Sequence, residues 1–372
     1  MKVIAHPLPE AFERKHGTLS DLRSITHDPK FRQDWISTTT VRWNPNDGYV
    51  YLGLTQMDGD ILYRFDRKTG HAECLDYLSI RVENEVKVHR SLEITPDGRL
   101  FGASADLITI KDRETAPGGQ IWSYDPQSKA YDVFGIPSPG DYIQHITVDF
   151  NRMIAYGCTY PVPWFFAFDL KSRKTIRKVF IGAYPHKTGI DDKGRVWTGY
   201  SATADVGDGE NSLMCYDPHT DTVEWTDLQL PAIGRKDDKQ MDDIVNLGDG
   251  YLYMGSVSGG FSRLDPERRE IEWLGKPSRG MRLCGIDEGP DGSIYVTTGA
   301  NYGMKPDDAV TRAHRFDRHT KQFVDLGPIY DPKFGSGCFA LHALSIDDAG
   351  TLWVGETDNG ERSGCLWECR IT

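Results

Sequence analysis

Short apolar and aromatic runs alternate with polar turns along the whole chain, and one phrase recurs: NPNDGYVYLG (44–53), TPDGRLFG (95–102), FNRMIAYG (150–157), DDKGRVWTG (191–199), LGDGYLYMG (247–255), GPDGSIYVT (289–297) and DDAGTLWVG (347–355). Each copy reads as an apolar strand, a turn rich in Asp, Asn and Gly, and a second strand alternating apolar and aromatic residues, the signal of a β-hairpin. After each of the first six comes a third strand closing on Asp: LYRFD to Asp66, IWSYD to Asp125, FFAFD to Asp169, LMCYD to Asp217, FSRLD to Asp265 and HRFD to Asp317. A turn and a fourth strand follow, and no helical stripe interrupts them. Four antiparallel strands recurring about every fifty residues predict an all-β, seven-bladed β-propeller, one domain over residues 1–372. The seventh copy ends at GCLWECRIT (364–372), which leaves room for three strands only. An N-terminal strand within residues 1–12 is therefore expected to complete the last blade and remove an open edge.

In such a ring the first strand of each blade lines the axis and begins at the face where ligands usually bind. Counting eight residues back from Gly48, Gly98, Arg152, Gly194, Gly250, Gly292 and Gly350 gives Thr40, Arg90, Gln144, His186, Asp242, Cys284 and His342. A slip of one residue adds His89, His145 and Asp243, whereas the rest of each inner strand is apolar or small. Four of the 11 histidines thus fall on one ring, which predicts a polar cluster at the channel mouth. His6, His16, His27, His71, His219, His314 and His319 read as surface or packing residues.

The loops between second and third strands open on the same face: 104–119, 159–164, 201–212, 299–313 and 356–364. They exceed what a hairpin needs and suggest the walls of a cleft. Tyr160, Trp164, Asn301, Tyr302 and Arg362 are their candidate ligand contacts, with aromatic faces and amides that suit a sugar. No Ser nucleophile motif occurs, and Asp242 and Asp243 are adjacent, so on a strand they face opposite sides and make a poor acid and base pair. His, Tyr and Arg together suit proton abstraction next to a carboxylate: a cation neutralises the carboxylate, a neutral His or Tyr takes the proton, and a second group protonates the leaving oxygen. His ligands converging on the axis would suit one divalent metal, zinc, manganese or iron rather than calcium. His186 and His342 are the expected ligands, with Asp242 and His145 behind them.

Composition narrows the partners. A net charge of −12 without a Lys/Arg run opposes nucleic acid. The segment MKVIAHPLPEAFERKHGTLSDL lacks the pattern of a secretory signal, and no apolar run reaches eighteen residues, so neither export nor a membrane partner is expected. Seven cysteines without a CxxC pair point to reduced thiols, hence a cytoplasmic protein acting on a small molecule or oligosaccharide.

The stretches KVHRSLEITPDGRLFG, IQHITVDF and YPHKTGIDD resemble the seven-bladed β-propeller polysaccharide lyases, of the ulvan lyase, rhamnosyl-glucuronate lyase and oligogalacturonate lyase type. The resemblance implies β-elimination on a uronic-acid-containing chain. It implies His89 and His145 as acid and base, Arg90 as the carboxylate neutraliser, and Tyr160 or Tyr184 as the tyrosyl partner, with a divalent metal nearby. A metal-dependent lactonase, a streptogramin-lyase-like propeller and a non-catalytic sugar-binding propeller stay open as alternatives.

Overall fold

The computed structural model describes residues 1–8, 35–106, 110–201, 211–233, 239–299, 311–359 and 362–371. The recurring phrases set the strands through local chemistry. At the end of each third strand the Asp carboxylate accepts the backbone N–H two residues on, from Lys68, Gln127, Lys171, His219, Glu267 and His319, at 2.8–3.0 Å. The side chain thereby builds the turn into the fourth strand. At the first hairpin the turn Asp accepts from an aromatic of the second strand: Trp197 Nε1 to Asp191 at 2.9 Å, Tyr253 Oη to Asp249 at 2.8 Å, and Trp353 Nε1 to Asp347 at 3.1 Å. The Asp-Gly-aromatic wording is thus one hydrogen-bonded unit repeated around the ring.

The strands assemble into seven antiparallel four-stranded blades, with inner strands Ser37–Asn44, Leu92–Ile94, Tyr142–Asp149, Gly189–Ile190, Met241–Asn246, Leu283–Glu288 and Leu341–Ile346. Lys2–His6 pairs with Leu366–Arg370 as the outer strand of the seventh blade, as the shortened last copy predicts, and His6 Nε2 lies 2.8 Å from Glu368. Residues 9–12 of the expected closing segment lie outside the described residues. Apolar clusters fill the spaces between blades, such as the one joining Trp197, Leu213, Met241, Ile244, Leu252 and Met254 across blades four and five. Second-strand glycines let neighbouring blades approach: a Cβ on Gly255 would collide with the Leu283 carbonyl of the next inner strand.

One addition is not written in the repeat. The short strand Glu85–Lys87 pairs with the end of Tyr49–Thr55 in blade one and with Ala105–Asp106, which follows the second strand of blade two. It carries the chain across the upper face into the mouth of the channel just before His89.

Candidate active site at the channel mouth

Five of the seven inner strands carry a one-residue bulge at the same height, at Thr39, Gln144, Asp242, Cys284 and His342. A bulge releases one residue from pairing and re-aims its side chain. Four of these are the ring positions counted from the turns; in blade one the residue is Thr39, not Thr40. In blades two and four the inner strand starts late, and Arg90 and His186 precede it.

Asp242, fully buried, is the hub. Arg282 grips it with two hydrogen bonds, Nε to Oδ2 at 2.8 Å and Nη2 to Oδ1 at 2.7 Å. Arg90 crosses from blade two, with Nη2 3.1 Å from Oδ1 and Nη1 donating to the Asp242 carbonyl. His186 Nδ1 stands 2.9 Å from Oδ1. Burial alone would raise this carboxyl, but Arg282 and Arg90 outweigh it and hold it well below the usual carboxylate range. Both arginines adopt the left-handed region, φ 46° at Arg90 and 59° at Arg282. Such a conformation costs of order 1–3 kcal/mol for a non-glycine residue, so it persists here because the clamp over-determines it.

Three imidazoles sit beside this clamp. The His89 ring centroid is 5.3 Å from that of His342 and 6.0 Å from that of His186. His89 Nδ1 lies 2.6 Å from the Gln144 carbonyl, an acceptor only, so Nδ1 carries the proton and Nε2 the lone pair. His342 has the opposite tautomer: Nε2 accepts from Arg282 Nη1 at 3.1 Å, which leaves Nδ1–H buried without a partner among the described residues. Burial first, and then the neighbouring cations, push His89 and His342 well below the ordinary imidazole value and His186 down to about 4. All three are neutral near pH 7.

His145 and Arg90 therefore have other work than the resemblance implies. His145 is fully buried, and both its nitrogens are occupied, Nδ1 by the Arg90 carbonyl at 2.7 Å and Nε2 by Thr147 Oγ1 at 2.7 Å. It positions the backbone of Arg90, whose guanidinium serves Asp242 rather than an incoming carboxylate.

The expected metal set is also redirected. Asp242 is saturated by guanidinium, His342 turns its lone pair to Arg282, and only the Nε2 atoms of His89 and His186 remain as imidazole donors. Among the described residues no three His, Cys, Asp or Glu side chains converge closely enough to hold a metal ion. The donor set His186, His342 and Asp242 does not fit a divalent cation in this arrangement.

The tyrosines form a second group on the same face. Tyr160 packs between Tyr142 and Tyr184, with ring centroids 4.9 and 5.3 Å away. Tyr184 Oη donates to the Pro161 carbonyl at 3.1 Å, and burial followed by Tyr160 raises its phenol. Asp106, which the repeat does not single out, lies against this group with both carboxylate oxygens buried and unpartnered among the described residues. Burial, then Glu85 and Asp141, push it up to about 7. Trp164 packs edge-on to Phe180 with Lys178 Nζ 4.7 Å above its ring. Arg362, expected at the rim, is instead buried in a two-pronged pair with Glu356 at 2.7 and 2.9 Å. Asn301 and Tyr302 lie outside the described residues.

Arg282 and Lys87 escaped the sequence reading. Counting from Gly292 lands on Cys284, two residues past Arg282, and Lys87 precedes the strand being counted. Only a search for cations within two or three residues of the ring positions would have found them.

The neutral imidazoles make a pH prediction. Where a folded histidine titrates below its unfolded value, the unfolded chain binds more protons, so stability rises with pH. The stabilisation is complete above the ordinary value of 6.5 and is lost as pH falls toward about 4. Buried His314 in blade six, also lowered to about 4, adds to the same window. Denaturant titrations between these limits should show a steadily falling unfolding free energy; a flat profile would contradict the neutral cluster.

No family model matches this chain. No curated protein matches it either. Solved structures share its fold. A streptogramin B lyase aligns over 98% of this chain and 96% of its own at 14% identity and TM-score 0.64. Virginiamycin B lyase from Staphylococcus aureus aligns over 90% and 95% at 13% identity and TM-score 0.62. The extracellular domain of BT4673 from B. thetaiotaomicron aligns over 96% of this chain at 10% identity and TM-score 0.59, and this chain spans 40% of that one. At these identities the likeness shows the β-propeller fold.

Proposed function

We propose that this propeller is a lyase that cleaves a uronic-acid-containing oligosaccharide by β-elimination at the channel mouth. The observation that carries the reading is His89, a neutral imidazole whose Nδ1–H is committed to a backbone carbonyl and whose Nε2 lone pair is left for a substrate. A base of this kind removes the proton on the carbon next to the uronate carboxylate. The C–H electron pair passes into the carboxylate, then forms a carbon–carbon double bond as the β carbon–oxygen bond breaks. The departing oxygen takes a proton from a general acid, for which Tyr160 and Tyr184 are the candidates, with Asp106, raised to about 7, behind them. The buried N–H of His342 is a donor for the charge that develops on the carboxylate.

Two further features support the setting. All seven cysteines are free thiols, consistent with a reducing cytoplasm and an imported oligosaccharide. Among the described residues no helix is long and apolar enough to cross a membrane. The shared fold with a streptogramin B lyase motivates a second reading, lyase action on a streptogramin B rather than on a uronate.

One assay separates these readings. Incubation with a panel of uronate oligosaccharides should generate the ultraviolet absorbance of an unsaturated uronate. Absence of that product across the panel, with turnover of a streptogramin B, would replace the first reading by the second.

A further inference from the structure

If the reaction is elimination on a uronate, some cation must receive the carboxylate, and the arginine expected to do so faces Asp242, with its side chain 2% exposed. Arg282 holds that same carboxylate in two hydrogen bonds. The geometry points to Lys87 as the group that receives the substrate's carboxylate, a role that rests on the proposed lyase reading for its purpose but not for its measurement.

Lys87 ends the short strand that bridges blades one and two. Its backbone is fixed on both sides, opposite Thr55 and opposite Ala105. The half-buried side chain makes no hydrogen bond or close ion pair with any described residue. The charges it feels come from three blades: Asp358 attracts it, while Arg90 and Arg282 repel it. It in turn lies close enough to His89 and His342 to depress both rings. Among the described residues the carboxylate that attracts it, Asp358, stands 3.9 Å from His342 Nε2, at a left-handed residue.

A cation placed two residues before the proposed base, among other cations and within electrostatic reach of His342, suits an anion. Burial, with the two arginines, lowers its ammonium to about 8, and an arriving carboxylate would restore the full charge. A lysine suits this task as a compact point charge that needs no planar fork to match it. Nothing in the hairpin phrase specifies it, because the bridging strand lies outside the repeat.

The test uses binding rather than turnover. Calorimetric titration of the full chain with glucuronate and galacturonate, against glucose and galactose, measures preference for the carboxylate. The wild type should prefer the uronates, Lys87→Met should lose that preference by about 10-fold or more, and Lys87→Arg should keep part of it. His89→Ala should retain uronate binding while losing turnover. An unchanged preference in Lys87→Met, or no uronate binding by the wild type, would overturn the assignment; thermal unfolding of each variant checks that the fold persists. Lys87-dependent binding with no unsaturated product from any substrate would overturn the elimination reading and leave the carboxylate site standing.

Discussion

His89→Ala should lower kcat on a uronate oligosaccharide by about 10²-fold or more, with KM little changed, the usual size of a lost general base. The expectation rests on how the ring is held. It is 3% exposed, its Nδ1 is tied to the Gln144 carbonyl, and burial followed by the surrounding cations keeps it neutral, so its Nε2 lone pair is already in the state the proposed base requires. His89→Gln is the sharper variant, because an amide keeps a hydrogen bond to that carbonyl and cannot accept the proton. It should be nearly as slow as the alanine variant while unfolding at the wild-type temperature. His145→Ala gives the contrast: with both nitrogens satisfied inside the protein, its loss should shift stability more than chemistry. Near-normal kcat in both His89 variants on a confirmed substrate would remove His89 from the mechanism.

Asp242→Asn should be the most destabilising single change at the mouth, by about 3–5 kcal/mol, the range for breaking a buried ion pair from one side. The two guanidiniums would remain in place without their counter-charge. Their side chains are 2% and 10% exposed, so water and salt relieve little of the repulsion. Denaturant unfolding at neutral pH measures the loss directly. A companion variant, Asp242→Leu with Arg282→Met, removes charge from both sides and should be less destabilised than Asp242→Asn, because fewer unpaired charges are left buried. Wild-type stability in Asp242→Asn would mean that the clamp does not hold the blades together.

The blades, their number and the closing strand were legible because the hairpin phrase is written into local chemistry: an Asp that builds a turn, a left-handed glycine, an aromatic that hydrogen-bonds back. Counting from that glycine found the ring residues His186, Asp242 and His342, and a one-residue slip found His89. What it could not find was what each residue would touch. Asp242 looked like a metal ligand because its two arginines come from blades two and six, far away in sequence. Arg90 looked like a substrate cation for the same reason. Arg362 sits in a loop by its local sequence, yet Glu356, six residues earlier, draws it inside. The repeat encodes position around the axis; the pairing across the axis is a property of the closed ring.

That closure also orders events in time. His6 and Glu368, which meet in the seventh blade, are 362 positions apart, so their strands pair only after nearly the whole chain is available. Contacts of such long range form late, since the chain must first surrender the freedom of the intervening loop. His342 and Asp358 belong to the blade that this pairing completes, and Lys87 and His89 reach them from the other side of the ring. A nascent or partly unfolded chain with its early blades formed would therefore hold half a mouth: His89, the proposed base, would be present, with no opposite wall facing it. The proposed lyase activity and ring closure should appear together during refolding, as a single kinetic phase.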